Sequence, residues 1–186
     1  MEKENIEKLL IIVDMVNGFI REGSMADSYI EHIIPEIVEK IKEYKNEIVF
    51  IKDCHEENSI EFNSYPKHCI KGTKESELVE ELKMFENEAI AVYEKKSTSA
   101  MFAENFIKDI DEMKNIKEIT IVGCCTDICV LNLAIPLKNY LNQKNKNVEI
   151  VVPKKMVETY NSENHNREEY NEIAFKLLNQ SGIKVI

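Results

Sequence analysis

Leu9-Leu10-Ile11-Ile12-Val13 is an unbroken run of β-favouring apolar residues that ends on a carboxylate, Asp14. A strand with one wet face alternates apolar and polar residues. A continuous run instead needs cover on both sides, as in a parallel sheet held between two helical layers. The rest of the chain follows the same pattern. Strand-like runs recur at Ile48 to Ile51, Ala89 to Tyr93, Glu118 to Val122, Val148 to Val152 and Ile183 to Ile186. Between them, Asp27 to Tyr44, Glu75 to Met84, Phe102 to Lys114, Ile128 to Asn142 and Arg167 to Asn179 carry apolar residues at three-to-four spacing, the period of a helix packed on one face. This alternation predicts an α/β fold: a three-layer, doubly wound, mostly parallel six-stranded sheet with helices on both faces, Rossmann-like. No repeat, linker or compositional break interrupts the chain, which predicts a single domain over 1–186.

Composition narrows the partners. The net charge is -10 and no cluster of Lys and Arg forms a basic face, so a phosphate-backbone partner is not expected. The apolar runs fall well short of the roughly 18–20 residues of a membrane span, and the charged start Met1-Glu2-Lys3-Glu4-Asn5 lacks a signal-peptide layout. Five cysteines without scaffold spacing fit a reducing, cytoplasmic setting in which a thiol can act as a reagent.

Open α/β sheets bind ligands beyond the carboxyl ends of their strands. Asp14 follows strand one, Asp53 and His55 follow strand two, Glu94, Lys95 and Lys96 follow strand three, and Gly123 through Cys129 follow strand four. An acid, metal-type ligands, a cation and a thiol thus gather on one edge. Cys129 falls near the first turn of a helix, where free N–H groups and the helix dipole favour a thiolate and could hold an oxyanion. The alternative is that Cys124, Cys125 and Cys129 are small buried hydrophobes, as is preferred for Cys54 and Cys69. Asp14, at the end of a buried strand, is a candidate proton acceptor or else a local cap. A lysine beside it would favour both thiolate and carboxylate, and Lys95 and Lys96 both qualify. Asp53, His55, Glu61 and His68 form a second cluster, in a stretch from Asp53 to Lys74 without clear periodicity. They read either as a mixed N/O metal site for Zn, Mn or Fe or as ordinary loop polarity. His32 and His165 have no such company and are expected at the surface.

The motifs Val13-Asp14-Met15-Val16-Asn17-Gly18-Phe19, Lys95-x-x-x-Ser99-Ala100 and Gly123-Cys124-Cys125-Thr126-Asp127-Ile128-Cys129-Val130 resemble those of the isochorismatase-like cysteine hydrolases, and within them the nicotinamidases. The likeness runs from Leu9 to about Val152. It implies a catalytic triad of Asp14, Lys95 and Cys129, choosing Lys95 over Lys96 by its spacing to Ser99-Ala100. It also implies an oxyanion hole from the N–H groups of Cys125 and Cys129, and a cis peptide between Cys124 and Cys125. The nicotinamidase pattern implies a divalent ion, Zn, Mn or Fe, on Asp53, His55, Glu61 and His68, with Phe19 and Tyr65 flanking a pyridine ring. Met101 stands between Ala100 and Phe102 where many members have Ser-Ala-Phe, and Val16 and Gly18 also depart from common residues. The resemblance implies conversion of nicotinamide and water to nicotinate and ammonia in NAD salvage, by a homo-oligomer acting on a small molecule. The rival readings are another hydrolase of the superfamily, acting on a small amide or an enol ether, and a non-catalytic metal- or ligand-binding domain.

Overall fold

The computed structural model describes residues 3–44 and 47–186. Met1 and Glu2 of the charged start lie outside the described residues, as do Lys45 and Asn46. In chain order the elements are β1 (Lys8–Val13), α1 (Asn17–Ile20), α2 (Ile34–Tyr44), β2 (Ile48–Asp53), α3 (Glu80–Lys83), β3 (Ala91–Lys95), α4 (Phe106–Glu112), β4 (Glu118–Cys124), α5 (Leu131–Gln143), β5 (Glu149–Val152), β6 (Val157–Glu158), α6 (Arg167–Gln180) and β7 (Lys184–Val185). Short 3-10 turns fill several of the gaps.

The sheet order is β3-β2-β1-β4-β5-β7, and every pairing is parallel. Among the described residues the strands number seven, against the expected six. β5 pairs only the first half of one edge of β4, and the two-residue β6 pairs Gly123 and Cys124 beyond it. So short a strand has no periodicity to read. β1 alternates between two cores. Leu9, Ile11 and Val13 pack with Phe106 and Ile110 of α4, Leu133, Leu137 and Leu141 of α5 and Phe175 of α6. Leu10 and Ile12 pack with Phe19 of α1, Ile37 and Ile41 of α2 and Leu82 of α3. Both faces are therefore covered, as the unbroken apolar run requires.

Several boundaries shift. The helix expected over Asp27 to Tyr44 is a 3-10 segment, Ser28–Ile33, followed by α2. Pro35 lies in the first turn of α2, where its missing N–H breaks no bond. The segments expected at Glu75 to Met84 and Phe102 to Lys114 likewise break into 3-10 pieces and the short helices α3 and α4. β2 and β3 run two residues further than expected, so Asp53 and Lys95 end their strands in paired register instead of following them. No helix among the described residues is long and apolar enough to cross a membrane.

After β1 the chain visits β2 and β3 on one side, then crosses to β4 on the other. The seam between β1 and β4 is therefore the topological switch point. Gly123 makes this seam possible. Its φ is +113°, and a Cβ there would lie 2.0 Å from the Val13 carbonyl oxygen, so only glycine fits against the neighbouring strand.

Candidate active site

Asp14 leaves β1 with φ +53°, a left-handed turn that Asp tolerates better than most residues. Its carboxylate is fully buried, with Lys95 Nζ 2.9 Å from Oδ2. Neither Asp14 oxygen accepts a hydrogen bond of good angle, so the contact is an ion pair with acceptor capacity to spare. The same ammonium donates to Asp53 Oδ1 at 2.6 Å. Asp53 Oδ2 in turn lies 2.9 Å from the Nε2 atoms of both His55 and His68. One buried lysine thus bridges the two clusters that the sequence offers separately. Cys129 is 7% exposed, in a π-helical turn, Thr126–Val130, between β4 and α5. The peptide joining Cys124 to Cys125 is cis.

The lysine loop is docked on α5, the helix that follows Cys129, by a substitution of donors. Pro136 lies inside α5 and has no N–H for the Asn132 carbonyl four residues earlier. The Ser99 hydroxyl supplies that bond instead, at 2.7 Å, and Asn132 Nδ2 donates to Thr98 Oγ1 at 3.3 Å.

Electrostatics set the proton inventory. Burial pushes the Asp14 carboxyl up to about 6, with Lys95 pulling against it. Burial also raises the Cys129 thiol well above its ordinary range, and Lys95 offsets only part of that. This corrects the expectation of a thiolate favoured by the helix start: the desolvation of a buried sulfur is larger. Burial opposes the charge on Lys95, but Asp14, Cys129 and Asp53 together hold it well above the usual lysine value. Asp53 is held well below the carboxylate range. Burial alone would raise it, but Lys95 and the hydrogen bonds from His55 and His68 overcome that. The resting site is therefore a protonated thiol beside a carboxylate whose affinity for a proton is tuned near neutrality.

Asp53, His55 and His68 place one ligand atom each within 4.8 Å of one another, all buried. The Pro66 carbonyl accepts from His68 Nδ1 at 2.7 Å, and His55 Nδ1 meets Ser59 Oγ at 3.2 Å. The outer nitrogens being so engaged, both Nε2 atoms turn toward Asp53. An O/N/N donor set of this kind, with its second shell in place, fits a divalent ion such as Zn, Mn or Fe. Glu61 lines the same cavity from a 3-10 turn, Ile60–Asn63, but stands outside that three-residue cluster.

Asp53, Glu61, His68, Lys95 and Cys129 open on a cavity of about 790 Å³ that Phe19, Tyr65 and Cys125 also help to line. Its outer wall comprises residues the sequence did not point to. They include Tyr29, whose ring lies 4.0 Å beneath the Arg167 guanidinium, Asp27, which pairs with Arg167, and Tyr160. Asp27 and Tyr29 lie far along the chain from Tyr160 and Arg167, so no local pattern marks them as one wall. His165 corrects a further expectation: it is buried, with Nε2 2.8 Å from Asp127 Oδ2, whereas His32 is about half exposed, as expected. Cys54, Cys69 and Cys124 are buried, and all five cysteines are free thiols.

A profile of the isochorismatase domain matches residues 8–186. The chain belongs to the isochorismatase family. Among curated relatives, Nicotinamidase 1 of Arabidopsis thaliana is 38% identical over 140 residues, covering 66% of this chain and 57% of its own length. The chain thus spans just over half of that relative. Among solved structures, a pyrazinamidase/nicotinamidase of Streptococcus mutans matches with TM-score 0.80 and 25% identity, over 97% of this chain and 100% of its own. A pyrazinamidase of Pyrococcus horikoshii in complex with zinc matches with TM-score 0.74 and 25% identity, over 97% and 99%. Isochorismatase-family neighbours of this kind share the parallel sheet and its helical layers.

Proposed function

We propose that this isochorismatase-family protein is a nicotinamidase-type cysteine amidohydrolase that converts nicotinamide and water to nicotinate and ammonia, in NAD salvage. The observation that carries the reading is the single lysine joining an acid–thiol pair to an Asp-His-His cluster at one cavity. The nicotinamidase relatives support the substrate class, and the zinc in the Pyrococcus protein supports a divalent ion on Asp53, His55 and His68, with Glu61 near by.

In this reading Asp14 takes the Cys129 proton as sulfur attacks the carboxamide carbon, so no standing thiolate is required. The N–H groups of Cys125 and Cys129 receive the oxyanion. Asp14 then returns its proton to the departing nitrogen, and the C–N bond breaks to give ammonia and a thioester on Cys129. A water, deprotonated by Asp14, attacks that thioester. The C–S bond breaks, the Asp14 proton passes to sulfur, and the product leaves as the carboxylic acid, which ionises to nicotinate by giving its remaining proton to solvent. Lys95 favours the ionised form of Asp14 whenever the acid has to accept a proton. A bound divalent ion would supply a Lewis-acid site for the ring nitrogen, and Phe19 and Tyr65 would flank the ring, a positioning role.

We further propose a cytoplasmic homo-oligomer encoded as one domain, acting on small molecules without nucleic-acid or membrane partners. Free thiols at all five cysteines suit a reducing compartment.

The test is ammonia release from nicotinamide, with pyrazinamide and isochorismate in parallel, before and after chelation. Cys129→Ala is expected to abolish release while nicotinamide still binds. Release that survives this change discards the nucleophile. Release from nicotinamide that is undiminished in metal-free protein discards the positioning role of the ion, and release only from another substrate discards nicotinamide while keeping a hydrolase.

A further inference from the structure

The His165 ring is clamped on all sides. It stacks on Tyr160 at 3.9 Å and 9°, and on Tyr170 at 3.8 Å and 27°. Its backbone exchanges both hydrogen bonds with Ser162, in the turn between β6 and α6. Nδ1 lies 3.0 Å from the Tyr160 carbonyl oxygen and Nε2 lies 2.8 Å from Asp127 Oδ2. Both ring nitrogens thus face oxygens that only accept, a setting that a doubly protonated ring satisfies in full. The two tyrosine faces would favour such a charge.

Asp127 lies in the π-helical turn, two residues before Cys129. The start of that turn has no side-chain cap, and the hydroxyl of buried Thr126 has no hydrogen-bond partner. Asp127 Oδ1 is likewise buried and unpartnered. A carboxylate placed so is held in position by the cation on its other oxygen, and removing that cation leaves a buried charge uncompensated. Tyr160, the other partner of the ring, lines the cavity.

We propose that His165 is a positioning residue: as an imidazolium bound to Asp127, it fixes the turn that carries the Cys129 sulfur and the oxyanion-binding amides, and sets Tyr160 against the substrate cavity. It touches neither the reacting atoms nor the Asp-His-His cluster. Its effect therefore falls on the alignment of sulfur and amides with the carbonyl, where a misplacement near 1 Å costs about a hundredfold in rate.

The experiment uses the full chain loaded with zinc or manganese. His165→Phe keeps the aromatic stack and removes both donors. Its kcat for ammonia release is expected to fall about ten- to a hundredfold, with KM within about threefold of wild type. A kcat within threefold of wild type, or a loss carried by KM alone, overturns the proposal. In wild type, nitrogen NMR should find both His165 ring nitrogens protonated at pH 7; a singly protonated ring overturns it. Asp127→Asn should lower kcat to the same degree and return the ring to its neutral form; a ring that stays doubly protonated overturns the pairing. If the Phe variant does not fold, the Asn variant and the wild-type ring state decide. The turnover readout rests on the amidase reading. A wild type that releases no ammonia sinks that reading, and the ring state, with the alkylation rate of Cys129 in Asp127→Asn, then decides the clamp.

Discussion

Replacing Lys95 with Met removes the one cation that sits between two buried carboxylates, and the loss can be sized from the geometry. At 2.9 Å from Asp14 and an effective dielectric of about 20, the attraction is about 6 kcal/mol, equivalent to about four pKa units. Asp14 begins near 6, and in the proposed mechanism it works as a base, so it must be ionised. Without the lysine its carboxyl would titrate near 10, and the ionised fraction at pH 7 would drop from about nine-tenths to about one in a thousand. The expected result is a fall of about a thousandfold in kcat/KM at pH 7, with the acid limb of the profile displaced several units upward. Ammonia release measured from pH 5 to pH 10 reads both effects. Removing one partner of a buried ion pair also costs about 3–5 kcal/mol of stability, so thermal unfolding is followed alongside, and Lys95→Arg serves as the charge-keeping control. If the Met variant stays folded, keeps its acid limb near pH 6 and loses less than tenfold, the lysine does not govern the acid and the reasoning fails.

In the wild type, kcat/KM should fall tenfold per unit as pH drops below about 6. The direction follows from the proposed role of Asp14 as a base that is idle once protonated, and a profile flat to pH 4.5 would contradict it. His55→Ala and His68→Ala should each lower the metal content of purified protein and raise KM for nicotinamide, read by elemental analysis and kinetics. Ser99→Ala should destabilise the fold by about 1–3 kcal/mol, since the Asn132 carbonyl then has no donor, with urea unfolding as the measure. The same change should lower kcat by loosening the Lys95 loop.

What the sequence made legible was what short-range order encodes. Leu9 to Val13 shows its burial on both faces, and the residues after it sit where parallel strands deliver ligands, so Asp14, Asp53, His55, Lys95 and Cys129 could be placed on one edge before any coordinates. Pairing is another matter. β3 extends to Lys95 because Glu94 and Lys95 lie in register with Lys52 and Asp53, a property of two segments together. Burial of the sulfur was equally hidden, because helix position is local and desolvation depends on everything that packs around it. His165 misled for the same reason. Its neighbours, Asn161-Ser162-Glu163-Asn164 and Asn166, look like a solvated loop, yet the ring is enclosed by Tyr160 and Tyr170 and by an aspartate far back in the chain.

The missing side chain at position 123 has a consequence for how this protein tolerates change. Asp14 and Cys129 hang from adjacent strands, and the distance between those strands is set by a carbonyl resting where a methyl group would otherwise be. Alanine at that position would be a wedge. Acid, lysine and thiol would all still be there, and the enzyme could fall silent because two rails had been prised apart.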